Sequence, residues 1–237
     1  MNIIKQNIPN IITLTNLLLG LCSIIFIFIG DLYLSGILIF IGLILDFLDG
    51  LFARILNVKS ELGKQLDSMA DLITFGVAPG FLLFQLIYYS QTNSYLLDIL
   101  SINSLYIALF GMLIPIFGAI RLANFNIDEN QKNSFIGLPI PAAGIFIASL
   151  PLNKSLLFTN TDSLVIISII LSILLISKIP LFSLKISKDE TIKSRLNIIR
   201  ITLILISIIL FTSFYFTSVP FIIILYIILS IINNILK

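Results

Sequence analysis

The chain has 237 residues, of which 58% are hydrophobic and 11% are charged, and its formal net charge is +2. Soluble domains carry about 25% charged residues, so this composition excludes a soluble globular protein and indicates several membrane-spanning helices. The small net charge and the absence of a Lys/Arg run give no sign of a nucleic-acid partner. The sequence has no histidine and a single cysteine, Cys22. An intrachain disulfide is therefore excluded, and any metal ligand or general base must be sought among the carboxylates.

Segments of the length that a bilayer requires, about 20 apolar residues, follow one another along the chain. The first is long and lacks a clear cleavage site, so it is predicted to span the membrane and not to be a signal peptide. The fold class predicted is all-α, a polytopic membrane helix bundle in a single domain, residues 1–237. Eight spans are predicted, at residues 11–30, 34–53, 66–88, 105–123, 139–157, 164–176, 198–216 and 219–235.

Basic residues mark one side of this bundle. With a cytoplasmic N-terminus, thirteen of the fourteen Lys and Arg residues fall on the inner side and only Lys154 falls on the outer side. This is the bias of the positive-inside rule, and it predicts that both termini are cytoplasmic. The most basic loop, residues 178–200, is either a solvated loop that fixes the topology or a segment that attracts anionic head groups or nucleotide phosphates.

Four aspartates lie in the second and third predicted spans, at their cytoplasmic ends. Asp46 and Asp49 are three residues apart, and Asp67 and Asp71 are four apart, so each pair stacks on one helical face. A carboxylate near the centre of a membrane helix costs about 2.5–3.5 kcal/mol on insertion scales. A divalent cation would satisfy several carboxylates at once and remove their mutual repulsion, so the sequence predicts a metal site here.

The same run of residues carries a longer pattern. Asp46-x-x-Asp49-Gly50-x-x-Ala53-Arg54 is followed, after eight residues, by Gly63-x-x-x-Asp67-x-x-x-Asp71. All eight positions match the signature of the CDP-alcohol phosphotransferase family, which this chain closely resembles. The resemblance implies a six-helix core, approximately residues 8–177, with two additional C-terminal helices, approximately residues 198–235. It also implies a homodimer in the membrane, a CDP-linked lipid substrate and two divalent ions, Mg²⁺ or Mn²⁺.

Roles follow residue by residue from the signature. Asp46, Asp49 and Asp67 would be metal ligands, and Asp71 would help to hold metal and act as the base toward the acceptor hydroxyl. The CDP site would be lined by Asp49, Gly50, Ala53, Arg54 and Gly63. In the first span, Asn10, Thr13 and Asn16 are placed to reach the nucleotide or the outer shell of the metals, although ordinary polar groups at a helix start would explain them equally well.

The acceptor alcohol must be inferred from the flanking segments. Residues 67–79, 121–126 and 135–144 resemble the integral-membrane phosphatidylserine synthase subgroup of that family, which implies L-serine as the acceptor. Arg121 would bind the serine carboxylate in a bidentate pair, and Asn124 would add a hydrogen bond. Alternatively, Arg121 is an interfacial charge that sets the topology.

Two other functions remain open from the sequence. A sibling enzyme of the same family would use glycerol phosphate, inositol phosphate or another alcohol. A divalent-cation transporter would also need intramembrane carboxylates, but such proteins often repeat the motif in both halves, and the second half here has no acidic residue in a predicted span.

Overall fold

The computed structural model describes residues 3–58, 60–98, 101–127, 134–153, 160–182 and 195–235, and these ranges contain eight helices and one short β-ribbon. The helices are α1 (Ile3–Ile29), α2 (Leu32–Ile55), α3 (Glu61–Thr92), α4 (Ile102–Ile127), α5 (Ile140–Ser149), α6 (Thr161–Ile176), α7 (Arg195–Phe214) and α8 (Val219–Ile235). Strands β1 (Ser134–Ile136) and β2 (Pro180–Phe182) form the ribbon.

The helices confirm the predicted all-α membrane bundle. Five helical runs of the described ranges are long and apolar enough to cross a membrane, and α5 and α6 are shorter apolar helices. The fifth run, Arg195–Ile235, contains both α7 and α8, separated by a 3₁₀ turn at Tyr215–Ser218 in which Tyr215 has a φ of 50°. The protein is therefore a multi-pass membrane protein whose last two helices form a hairpin.

Two capped turns bring the aspartates to one end of the bundle. Asp31 accepts a hydrogen bond from the backbone N–H of Leu34 at 3.0 Å and begins α2. Ser60 accepts one from the backbone N–H of Gly63 at 2.9 Å and begins α3 at Glu61, five residues before its predicted start. Such caps satisfy N–H groups that the first turn leaves unpaired, and the Ser60 cap lets α3 begin at Glu61, shortly after α2 ends at Ile55. The last turns of α2 and the first turns of α3 therefore lie together.

Helix α3 is irregular directly after Asp71. Residues Leu72–Val77 form a π-helical stretch, and Pro79 stands at the start of the α-helical part that follows. Proline has no N–H to donate to the preceding turn, and π-bulges are frequent at functional sites. Beyond this point α3 packs closely on α4, where a Cβ added to Gly111 would lie 2.5 Å from the backbone nitrogen of Phe84.

Two features differ from the sequence-based expectation. Helix α5 ends at Ser149, before Pro151, whereas the prediction continued it to residue 157; residues 154–159 lie outside the described ranges. The β-ribbon was not predicted: β1 pairs antiparallel with β2, with Phe135 opposite Leu181. Only the ends of the basic segment 178–200 are described, since residues 183–194 lie outside those ranges.

Candidate active site

Three of the four signature aspartates meet between α2 and α3. One carboxylate oxygen from each of Asp46, Asp49 and Asp67 lies within 4.8 Å of the other two. Unit charges of the same sign at such distances repel strongly in a medium of low dielectric constant. The arrangement is therefore costly unless a cation or protons compensate it.

Asp71 lies next to this group but is not one of its three members. Its carboxyl group is close enough to that of Asp46 to form a hydrogen bond. Its Oδ1 atom is buried and has no hydrogen-bond partner within the described ranges. Among the described residues, Oδ1 of Asp71 therefore accepts no hydrogen bond, at the point where α3 becomes π-helical.

Helix α1 closes the third side of the site. The hydroxyl of Thr13 donates to Oδ2 of Asp49 at 2.6 Å and lies 3.0 Å from the carbonyl oxygen of Pro9. One turn later, Asn16 is almost fully buried, and neither atom of its amide has a partner in the part of the chain that the structure describes. Asn16 lies against Gly42 of α2, where a Cβ would come within 2.8 Å of its Oδ1.

A polar cavity of about 490 Å³ opens beside the aspartates. Its wall includes four of the five residues that the signature assigns to the CDP site, Asp49, Gly50, Ala53 and Gly63. The first-span candidates Asn10 and Thr13 also line it, as does Asp67. A Cβ on Gly63 would lie 2.9 Å from Oγ of Ser60 and 3.0 Å from Oδ1 of Asn10, so glycine is what lets α1 approach α3 here.

Arg54 does not belong to this wall. It is exposed, and one terminal guanidinium nitrogen lies 3.7 Å from the position that a Cβ would take on Gly50. The Arg54 side chain thus lies one turn beyond Gly50, where it could reach a phosphate group that packs against Gly50.

Arg121 of α4 is buried, with 8% of its surface exposed, and its charge is close enough to interact with that of Asp71. Its Nε has no hydrogen-bond partner within the described ranges, and the guanidinium carbon lies 5.9 Å from the ring centre of Phe125. This burial is unlike that of an arginine that extends to the membrane surface. Asn124, by contrast, is exposed at the end of α4.

Two further residues near the site were not predicted. The amide nitrogen of Asn126 donates to the Ser68 hydroxyl at 3.0 Å, and the ammonium of Lys64 donates to the Asn126 carbonyl at 3.3 Å, which ties the end of α4 to the start of α3. Tyr226 of α8 is close enough to Arg121 to interact electrostatically, and its hydroxyl donates to the carbonyl of Phe182 at 3.0 Å. Asn126 lies within residues 121–126, one of the segments that carry the subgroup resemblance. The apolar pattern of α8, by contrast, gave no sign of Tyr226.

The donor set fits a hard divalent cation. All the gathered ligands are carboxylate oxygens, which Mg²⁺ and Mn²⁺ prefer. Oδ1 of Asp71, which has no partner among the described residues, offers another ligand atom beside the group. The three aspartates could therefore hold a metal beside the polar cavity, with Arg121 close to Asp71.

Comparisons with known proteins agree with this arrangement. The family model of the CDP-alcohol phosphatidyltransferases matches residues 6–181. The chain is 38% identical to the CDP-diacylglycerol–serine O-phosphatidyltransferase of Bacillus subtilis over 73% of this chain and 88% of that protein. It is 37% identical to the enzyme of the same name from Helicobacter pylori, over 72% and 70%. The archaetidylserine synthase of Methanothermobacter thermautotrophicus is 34% identical, over 73% and 68%. From its signature, its fold and these relatives, the chain belongs to the CDP-alcohol phosphatidyltransferase family.

Proposed function

We propose that this protein transfers the phosphatidyl-type group of CDP-diacylglycerol, or of an archaeal CDP-ether lipid, to L-serine, releasing CMP. The observation that carries the proposal is the meeting of Asp46, Asp49 and Asp67 beside the polar cavity, with the buried Arg121 close to Asp71. The names of the three relatives support serine as the acceptor.

Separate residues would bind the divalent ions and the nucleotide of the CDP-lipid donor. Asp46, Asp49 and Asp67, with Asp71 at their edge, would hold the divalent ions, and Thr13 fixes the carboxylate of Asp49 in place. When bound, Mg²⁺ or Mn²⁺ neutralises the diphosphate and stabilises the leaving CMP. Gly50, Ala53 and Gly63 leave space in the cavity for the nucleotide, which Asn10 and Arg54 approach from either side.

The serine hydroxyl must lose its proton as it attacks the donor lipid. The serine hydroxyl attacks the phosphorus that carries the lipid, a new P–O bond forms, the bond to the CMP phosphate breaks, and the hydroxyl proton passes to Asp71. Asp71 suits this role because its buried Oδ1 has no hydrogen-bond partner among the described residues, and the chain has no histidine to act as a base. Arg121 would pair with the serine carboxylate. Asn124, which is exposed near the end of α4, would add a hydrogen bond to the serine.

The placement in the cell is part of the same proposal. The aspartate end of the bundle would face the cytoplasm, with both termini on that side of the cell membrane. This orientation places thirteen of the fourteen Lys and Arg residues on the cytoplasmic side, as the positive-inside rule expects. The homodimer that the family resemblance implies stays a prediction.

The test is a measurement of CMP release by the purified protein with CDP-diacylglycerol and Mg²⁺ or Mn²⁺. L-Serine, glycerol 3-phosphate and inositol phosphate are offered in parallel, and a CDP-ether lipid is tried as a second donor. We expect release that depends on serine, that stops when the ions are chelated and that returns when they are restored. Release with another alcohol but none with serine would assign the protein to a sibling activity.

A further inference from the structure

Tyr226 of α8 lies where the C-terminal hairpin meets the rest of the bundle. Its hydroxyl donates to the carbonyl oxygen of Phe182 at 3.0 Å, and the two rings pack edge to face with their centres 5.2 Å apart. Phe182 belongs to β2 and lies opposite Ser134 of β1. Two contacts therefore fix the position of the Tyr226 side chain against the β-ribbon.

The same tyrosine is placed beside the buried Arg121. Arg121 follows Gly118 by one turn of α4, and a Cβ on Gly118 would lie 2.6 Å from Cδ1 of Ile140, so this part of α4 packs on the start of α5. Tyr226 lines an apolar cavity together with the two prolines that flank Ile140. Tyr226 and Arg121 thus both lie beside the entry to α5, and they are close enough to interact electrostatically.

The bond to Phe182 decides how the Tyr226 hydroxyl can meet Arg121. A phenol has one proton to donate and its oxygen can also accept, whereas a guanidinium has five N–H donors and no acceptor. Because the phenol proton is directed to the Phe182 carbonyl, the phenol oxygen is left to accept. Toward Arg121 it is therefore a neutral acceptor in a fixed position.

Asp71 competes for the same guanidinium. Its carboxylate is close enough to Arg121 to interact with it, and arginine forms strong bidentate pairs with carboxylates. An arginine closed onto Asp71 would have its paired N–H groups turned away from a substrate. A fixed neutral oxygen beside Arg121 offers the guanidinium a second partner that does not neutralise its charge.

We propose that Tyr226 is a positioning residue that holds Arg121 apart from Asp71 and open to the carboxylate of the acceptor, an inference that rests on the function proposed above. The observation that carries it is the fixed place of the Tyr226 phenol between the β-ribbon and α4. Tyr226 lies beyond residues 6–181, which match the family model. The C-terminal hairpin thus supplies the acceptor site with a contact that the matched part of the chain does not contain.

The first test is Tyr226→Phe, which keeps the ring against Phe182 and removes only the hydroxyl. We expect the KM for serine to rise about tenfold, because the guanidinium is no longer held in the orientation that receives a carboxylate. The KM for CDP-diacylglycerol should change much less, which also shows that the variant is folded. A rise of both constants together, or of neither, would overturn the proposal.

Tyr88→Phe is the matched control for the loss of a hydroxyl that binds the backbone. The Tyr88 hydroxyl accepts from the backbone N–H of Asp98 at 2.9 Å, in the link between α3 and α4 at the other end of the bundle. Both KM values should therefore stay at the wild-type values in Y88F. A rise in the KM for serine in Y88F equal to that in Y226F would overturn the proposal.

A double-mutant cycle separates this role from a general loosening of the β-ribbon. An ammonium has no planar fork to orient. Tyr226→Phe should therefore lower kcat/KM for serine about tenfold in the wild type but less than about twofold in the Arg121→Lys background. A tenfold loss in both backgrounds would show that Tyr226 acts without Arg121 and would overturn the proposal.

A failure of the proposed function would be seen separately in the wild type. If CMP is released with glycerol 3-phosphate or inositol phosphate and not with serine, the proposed acceptor is wrong, and the cycle is measured with the alcohol that turns over. A smaller loss in the R121K background would still support Tyr226 as the positioning residue of Arg121, since a phosphate also pairs with a guanidinium. Equal losses in the two backgrounds would overturn that role as well.

Discussion

Asp71 differs from the other signature aspartates in its position and burial. It lies outside the trio that meets within 4.8 Å, and its buried Oδ1 has no partner within the described ranges. We expect Asp71→Asn to lower kcat about a hundredfold or more, because general-base catalysis typically contributes 10²–10⁴-fold. CDP-lipid binding should be largely preserved, since the trio and the polar cavity are unchanged. Single-turnover CMP release and binding of a fluorescent CDP-lipid measure the two effects.

Asp162→Asn is the matched control, because Asp162 is an exposed aspartate in the first turn of α6. It should leave both measurements at the wild-type values. Turnover near the wild-type rate in D71N would refute the role of Asp71 as the base.

Arg121 carries a buried charge close to that of Asp71, and its Nε has no hydrogen-bond partner in the part of the chain that the structure describes. We expect Arg121→Lys to raise the KM for serine at least tenfold, because an ammonium cannot reproduce the bidentate pair with a carboxylate. The KM for the CDP-lipid should change much less. Steady-state kinetics with each substrate varied in turn give both constants.

Lys178→Arg, an exchange in the opposite direction at an exposed position after α6, controls for a general effect of altering a basic side chain. An unchanged KM for serine in R121K would remove Arg121 from the acceptor site.

The site could be predicted from the sequence wherever spacing alone determined it. The i, i+3 and i, i+4 spacings place the aspartates on helical faces, and the short link between α2 and α3 brings those faces together. Tyr226 could not be found in this way, because its approach to Arg121 depends on how the distant hairpin α7–α8 packs. Asn16 was noted from its sequence position, but its burial against Gly42 emerges only from the packing of α1 on α2.

At the scale of helices, the contact of α3 with α4 depends on glycines that allow the backbones to approach. A Cβ on Gly111 would lie 2.5 Å from the backbone nitrogen of Phe84 and 2.8 Å from the carbonyl oxygen of Gly80. Neither atom can move without shifting α3. Since overpacking typically costs about 1–3 kcal/mol, we expect Gly111→Ala to lower the Tm of the protein in detergent by several degrees, measured by its thermal aggregation.

Gly118→Ala, on the same helix, is the matched control. Its added Cβ would meet Cδ1 of Ile140 at 2.6 Å, which is the end of a flexible side chain. It should therefore lower Tm less than G111A does. An equal or greater loss in G118A would show that close approach of the two backbones does not limit this contact.

Helix type and approximate position followed from apolar length, but the irregular parts of the helices did not. The π-helical stretch at Leu72–Val77 lies inside a uniformly apolar run that fits a regular helix equally well. The β-ribbon pairs segments that are about forty-five residues apart, a relation that local patterns do not encode. The end of α5 before Pro151 was readable because proline has no N–H with which to continue the helical hydrogen bonds, although the prediction followed hydropathy past it.

At the scale of the whole molecule, the bundle has two distinct ends. The aspartates, the polar cavity and the β-ribbon lie where α2, α4 and α6 end, and the link between α3 and α4 lies at the other end. Ile127 closes α4 at the first end, and Leu96 lies in the link at the second, and both are 80% exposed. This pair of positions can therefore report on which end faces the cytoplasm.

We expect Leu96→Cys to be labelled by a membrane-impermeant maleimide in intact cells and Ile127→Cys to be labelled only after the membrane is opened, each in a Cys22→Ser background. The reason is the charge bias, because moving the basic loops outward would oppose the positive-inside rule for thirteen residues at once. The cysteine-free protein controls for background labelling. The reverse pattern would place the aspartates on the outer face, away from cytoplasmic serine and CDP-lipid, and would contradict both the orientation and the route by which the proposed substrates arrive.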